Sequence, residues 1–147
     1  MYLDHNATSP VTEDHLKQLS PLLLRAYGNP SSIHAGGRAA KVAMEDARAS
    51  VAAHFGCQPE RIAFTSGATE ANNLAIQGRL LSIAKTCDPS SCEVLVGTTE
   101  HSAVYEVVWG IASRLGMKVQ MIPVDKDGQP NLDVLREALN ERVKLVC

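Results

Sequence analysis

Short apolar runs alternate along this chain with longer segments of helical spacing, and that alternation limits the possible folds more than any other feature. Residues 61–65 (RIAFT), 93–97 (EVLVG), 118–124 (KVQMIPV) and 143–147 (VKLVC) read as strands. Before the first of them, Ala40, Met44, Ala47, Val51 and Phe55 step by three and four and share one face of a helix, with Gly56 as its C-cap. A helix over 69–85 carries Leu74, Gly78, Leu81 and Ala84 on one side, and one over 101–115 carries Val104, Val108, Ile111 and Leu115. Residues 131–140 form a fourth, with Asn131 as N-cap. Strand and helix in turn predict an α/β fold with a mostly parallel sheet flanked by helices. The continuous apolar strands fit a sheet covered on both faces. The last strand ends the sequence with an open hydrogen-bonding edge, so the chain reads as unfinished.

The first 35 residues stand outside this pattern. Residues 12–25 have helical spacing interrupted by Pro21, which is expected to break or kink the helix, and Gly28-Asn29-Pro30-Ser31-Ser32 is a loop by composition. The expected organisation is an N-terminal arm over 1–35 followed by an α/β domain over 36–147.

Composition narrows the function classes. A net charge of -2 and the lack of any Lys/Arg run argue against a nucleic-acid partner. No stretch is long and apolar enough for a membrane span, and no leader is visible at the start, so a cytoplasmic location is expected. Cys57, Cys87, Cys92 and Cys147 are irregularly spaced and read as free thiols in a reducing compartment. Cys87 and Cys92 flank a polar loop, but no His or further Cys stands at ligand spacing, so no metal site is expected. The five histidines form no H-E-x-x-H, and there is no G-x-S-x-G nucleophile elbow.

Four segments have the makings of a site. Phe64-Thr65-Ser66-Gly67-Ala68-Thr69-Glu70 follows a predicted strand and opens a helix. Small residues let backbone N–H groups approach an anion, the helix dipole adds positive potential, and hydroxyls at Ser66 and Thr69 add donors. Spacing alone leaves open whether this is a phosphate cradle or an ordinary turn capped by Thr69. Thr99-Glu100-His101-Ser102 follows the next strand, and in a parallel sheet both strand ends face one crevice. An imidazole there could lie on an aromatic ring or move a proton, or simply bond to backbone at a helix start. Asp4-His5-Asn6-Ala7-Thr8, after a short predicted strand, could line a site, with a capped turn as the default. In residues 28–38, a Pro turn leads to a helix start, and Arg38 is either a carboxylate ligand or a solvated side chain.

In order, YLDHNAT at 2–8, YGNPSSIHAGGR at 27–38, FTSGATEANNL at 64–74, TEHSAV at 99–104 and VDKDGQPNL at 124–132 resemble the cysteine desulfurases of the class V aminotransferase group, enzymes that use pyridoxal 5'-phosphate (PLP). The resemblance covers the whole chain. It implies a large PLP-binding α/β domain, incomplete here, and a small domain built from both chain ends to which the N-terminal arm belongs in part. It implies that Ala68 and Thr69 hold the PLP phosphate, that His101 stacks on the cofactor ring and assists proton transfer, and that Asn6, Ala7 and Thr8 approach the substrate. The implied reaction takes sulfur from L-cysteine, leaving alanine and an enzyme persulfide that supplies iron–sulfur cluster assembly or thiolation through an acceptor or scaffold protein. The implied assembly is a homodimer. The family's Schiff-base Lys and nucleophilic Cys belong to later segments, and none of the six lysines or four cysteines here matches them. The 147 residues alone are therefore expected to be inactive. Selenocysteine lyase, another class V enzyme, or a non-catalytic truncated product are the alternatives.

Overall fold

The computed structural model describes residues 2–5 and 7–147. It divides into two compact units, the first running to Ala63 and the second from Phe64 to Cys147.

In the first unit, helix α1 (Glu13–Arg25) runs unbroken through Pro21. Proline supplies no N–H, so the Lys17 carbonyl loses its helical donor. No residue of α1 is buried, so water can take that carbonyl, and the expected break does not occur. Thr12 caps the start, its hydroxyl accepting from the His15 N–H. Residues 2–4 form no strand; the N–H groups of Ala7 and Thr8 both donate to the Asp4 carbonyl, making a turn.

Helix α2 (Ala35–Phe55) ends at Gly56, whose φ of 63° is the left-handed C-cap read from the sequence. Its apolar face is only partly as expected. Ala40 is buried, Met44 and Val51 are half-buried, and Phe55 is exposed. The loop before α2 is tight. A Cβ on Gly37 would lie 2.2 Å from the Ser32 carbonyl oxygen, and one on Gly28 would lie 2.4 Å from that of Gly36. Those close approaches account for Gly28 and Gly37 of the 27–38 segment. Arg38 is exposed, in keeping with the solvated alternative, and its guanidinium donates to the Ile33 carbonyl.

Residues 61–65, expected as a strand, are not one. Arg61 closes a 3-10 turn begun at Pro59, and 62–65 run on outside any strand. A strand exists only where a neighbour takes its hydrogen bonds, and local apolar character does not supply one. The Ile62 carbonyl instead accepts from the Arg48 guanidinium of α2. Packing of α2 on this turn keeps residues 36–63 with the first compact unit.

The second unit is an α/β layer structure. Its elements are α3 (Ala68–Thr86), β1 (Glu93–Gly97), α4 (Ser102–Leu115), β2 (Lys118–Ile122), α5 (Leu132–Ala138) and β3 (Val143–Val146). The three strands form a parallel sheet in the order β2-β1-β3. Side chains alternate across a strand, so the central β1 faces two cores. Val94 and Val96 pack with Ile76, Leu80 and Ile83 of α3 and Val108 and Ala112 of α4. Leu95 packs on the opposite face with Ile122 and with Val134, Leu135 and Ala138 of α5. A strand buried on both sides reads as an unbroken apolar run.

Helix α3 buries a different face from the one expected. Ile76, Leu80 and Ile83 are inside, while Leu74 and Leu81 are exposed. The helix is apolar on two sides, and spacing does not choose between them. No helix among the described residues is long and apolar enough to cross a membrane.

Candidate functional site

The loop into α3 is held by one carboxylate. Glu70, in the first turn, accepts from both the N–H and the hydroxyl of Ser66 through the same oxygen, each at 2.7 Å. These bonds hold the Glu70 carboxyl below its ordinary value, the backbone N–H contributing most. The Ser66 hydroxyl, expected as a ligand donor, is therefore committed to Glu70. The Thr65 hydroxyl donates to the Gly67 carbonyl at 3.1 Å.

The N-cap of α3 is Gly67 and not Thr69, and no side chain caps the helix. The first intrahelical bond at this end runs from the Ala71 N–H to the Gly67 carbonyl at 3.1 Å. The N–H groups of Ala68 and Thr69 precede it and are the donors a helix start leaves for an anion.

His101 is the N-cap of α4. Its Nδ1 accepts from the Ala103 N–H at 3.1 Å, so in the neutral ring the proton sits on Nε2. The backbone-bonded alternative read from sequence is thus realised, and the other ring nitrogen keeps its proton for further bonding.

Thr69 and His101 line one groove of about 430 Å³ between α3 and α4. The groove has two polar residues outside the sequence motifs, Glu106 and Arg114, and one inside the 64–74 motif with no role assigned from sequence, Asn73. Asn73 donates from its side-chain amide to the Thr69 carbonyl at 2.8 Å. Counting one helical turn on from Thr69 or His101 finds Asn73 and Glu106, since residues four or five apart lie close on a helix surface. Ala68 stands at the first position of α3, next to the groove-lining Thr69. None of the six lysines lines the groove.

The other expected site residues belong to the first unit. Ala7 lies in the turn closed on Asp4, and Thr8 lines a shallow hollow with Tyr2, His5, Ser9 and Pro10. Asn6 lies outside the described residues.

The four cysteines are unpaired. Burial, with the charge of Glu100 adding to it, pushes the Cys147 thiol up and disfavours its thiolate. Among the described residues no three His, Cys, Asp or Glu side chains converge as metal ligands do.

The chemistry of the groove fits a phosphorylated aromatic cofactor. It combines a helix start with unused N–H donors, an imidazole, and a size within the usual range for small-molecule sites.

The chain is 40% identical over 147 residues to a cysteine desulfurase of Cereibacter sphaeroides, covering 99% of this chain and 37% of that protein. It therefore spans little more than a third of that relative's length. Among solved structures it superposes on a NifS-like protein with a TM-score of 0.83 at 34% identity, covering 99% of this chain and 38% of the other. It also superposes on SspA in complex with cysteine, with a TM-score of 0.79 at 28% identity, covering 99% of this chain and 40% of that one. The family profile of the class-V aminotransferases matches residues 1–147, and the chain belongs to that family.

Proposed function

We propose that this chain is the cofactor-holding N-terminal portion of a PLP-dependent cysteine desulfurase, which removes sulfur from L-cysteine to give alanine and an enzyme persulfide. The observation that carries the reading is Thr69 and His101 on one groove, in a chain 40% identical to a cysteine desulfurase. A relative in the same fold is described in complex with cysteine, which supports that substrate.

In this reading the N–H groups of Ala68 and Thr69 take the cofactor phosphate. His101 stacks on the cofactor ring. With Nδ1 committed to Ala103, its Nε2 is the atom that holds or passes a proton. Asn6, Ala7 and Thr8 approach the substrate. When bound, PLP supplies an electron sink for bonds breaking at the amino acid. The lysine that attaches PLP and the cysteine that accepts sulfur lie in a longer protein, beyond these residues. Residues 1–35 belong to its small domain and 36–147 to its large one. The protein is a homodimer that passes sulfur to an acceptor or iron–sulfur scaffold protein.

The test is to supply the native-length protein with PLP and L-cysteine and measure alanine and sulfide in the presence of a thiol. Equimolar alanine and sulfide are expected, with L-selenocysteine turned over no faster. No alanine, or a strong preference for L-selenocysteine, overturns the assignment.

A further inference from the structure

Glu70 lies in the same first turn of α3 as the proposed phosphate donors, yet it is an anion. A carboxylate at that point would be expected to compete with phosphate or repel it. The geometry shows a different use. One oxygen, Oε2, receives both Ser66 donors at 2.7 Å, which folds the entering loop back over the first turn of α3. This resembles a capping box displaced by one residue, with the third helical residue reaching past the N-cap Gly67 to the residue before it. Nothing lies within 4 Å of where a Gly67 Cβ would be, so packing does not fix that loop. The Thr65 hydroxyl bond to the Gly67 carbonyl is the other local restraint.

We propose that Glu70 is a positioning residue for the phosphate cradle: by engaging both Ser66 donors it fixes the loop and presents the Ala68 and Thr69 N–H groups to the phosphate. The inference rests on the reading of the groove as a PLP site. It assigns Glu70 a role in cofactor retention without contact to the cofactor.

The measurement is the affinity of the native-length protein for PLP and for pyridoxal, which lacks the phosphate, by fluorescence titration, with melting temperature followed in parallel. Wild-type protein is expected to prefer PLP strongly; equal affinities would refute the PLP reading itself. If the wild type prefers PLP, Glu70→Ala is expected to reduce PLP affinity about tenfold and leave pyridoxal affinity unchanged. Glu70→Gln is expected to stay within about twofold of wild type, because a single amide oxygen can replace the one oxygen that accepts both bonds. Ser66→Ala, at an exposed position, removes only the hydroxyl bond and is expected to cost about threefold, which keeps the test open if Glu70→Ala fails to fold. An unchanged PLP-to-pyridoxal ratio in Glu70→Ala and Ser66→Ala overturns the proposal. So does tighter PLP binding in Glu70→Ala, or an equal loss in Glu70→Gln and Glu70→Ala, since each makes charge the operative property.

Discussion

Glu93 and Arg142 are joined twice, by the Glu93 N–H donating to the Arg142 carbonyl at 2.8 Å and by the Arg142 guanidinium on the Glu93 carboxylate at 2.9 Å. Glu93 begins the central strand and its side chain is only 4% exposed, with Lys118 as a second partner at 3.6 Å. Lys118 opens β2 and Arg142 immediately precedes β3, so this carboxylate ties together the starting ends of all three strands. A buried carboxylate stripped of a partner keeps its desolvation cost. Arg142→Ala is expected to destabilise the protein by about 2 kcal/mol. The exposed Arg136–Asp133 pair, also at 2.9 Å, is a control, and Arg136→Ala is expected to cost about 0.3 kcal/mol. Chemical denaturation of both variants checks the contrast.

His101 has a cap role that can be separated from its ring. His101→Asn replaces one N-cap with another good one and is expected to keep the melting temperature near wild type. His101→Ala loses the bond to the Ala103 N–H and is expected to cost about 1 kcal/mol. Both variants are expected to lose desulfurase activity by at least about a hundredfold in the native-length protein, because neither supplies an imidazole. Full activity in His101→Asn would reduce the residue to a cap.

Backbone donors can be removed singly at Ala68. It is the first residue of α3, where proline is tolerated, and Gly67 before it is extended, as a residue preceding proline must be. Ala68→Pro is expected to leave stability within about 0.5 kcal/mol and weaken PLP binding about tenfold, since one N–H is lost to the phosphate. Titration with PLP alongside a melting curve reads both.

Glu70 and Asp88 are both held below their ordinary carboxyl values, Glu70 by Ser66 and Asp88 by the side chain and then the backbone of Ser90. A carboxyl depressed in the folded state favours folding above its unfolded pKa, and that contribution is lost as the pH falls through the folded pKa. The acid limb of stability is therefore expected to steepen below about pH 4. Glu70→Gln and Asp88→Asn are each expected to flatten it, while neither changes the slope near neutrality. Urea midpoints between pH 2 and 7 test this.

Two glycines predict opposite outcomes. Gly37→Ala places a Cβ 2.2 Å from the Ser32 carbonyl oxygen and is expected to destabilise by about 3 kcal/mol or more. Gly78, within α3, has nothing within 4 Å of where a Cβ would lie, so Gly78→Ala is expected to stabilise by about 0.5–1 kcal/mol through helix propensity. Thermal melts of the two variants decide it.

Local chemistry determined much of this protein from sequence alone. Gly56 and Asn131 end and begin helices as their residue types require, because caps are short-range bonds between neighbours. The 93–97 run is a strand buried on both faces, in keeping with its unbroken apolar character. Thr69 and His101, each in a segment singled out from the sequence, line one groove. Tertiary structure decided the rest. Residues 61–65 have strand composition but form no strand, and pairing is not a local property. Helix α3 has two apolar sides, and only its packing against β1 and α4 selected Ile76, Leu80 and Ile83 over Leu74 and Leu81. Pro21 stayed inside α1 because the exposed helix lets water satisfy the freed carbonyl. The double bond from Ser66 to Glu70 depends on how the loop folds back on its helix, which spacing permits but does not impose.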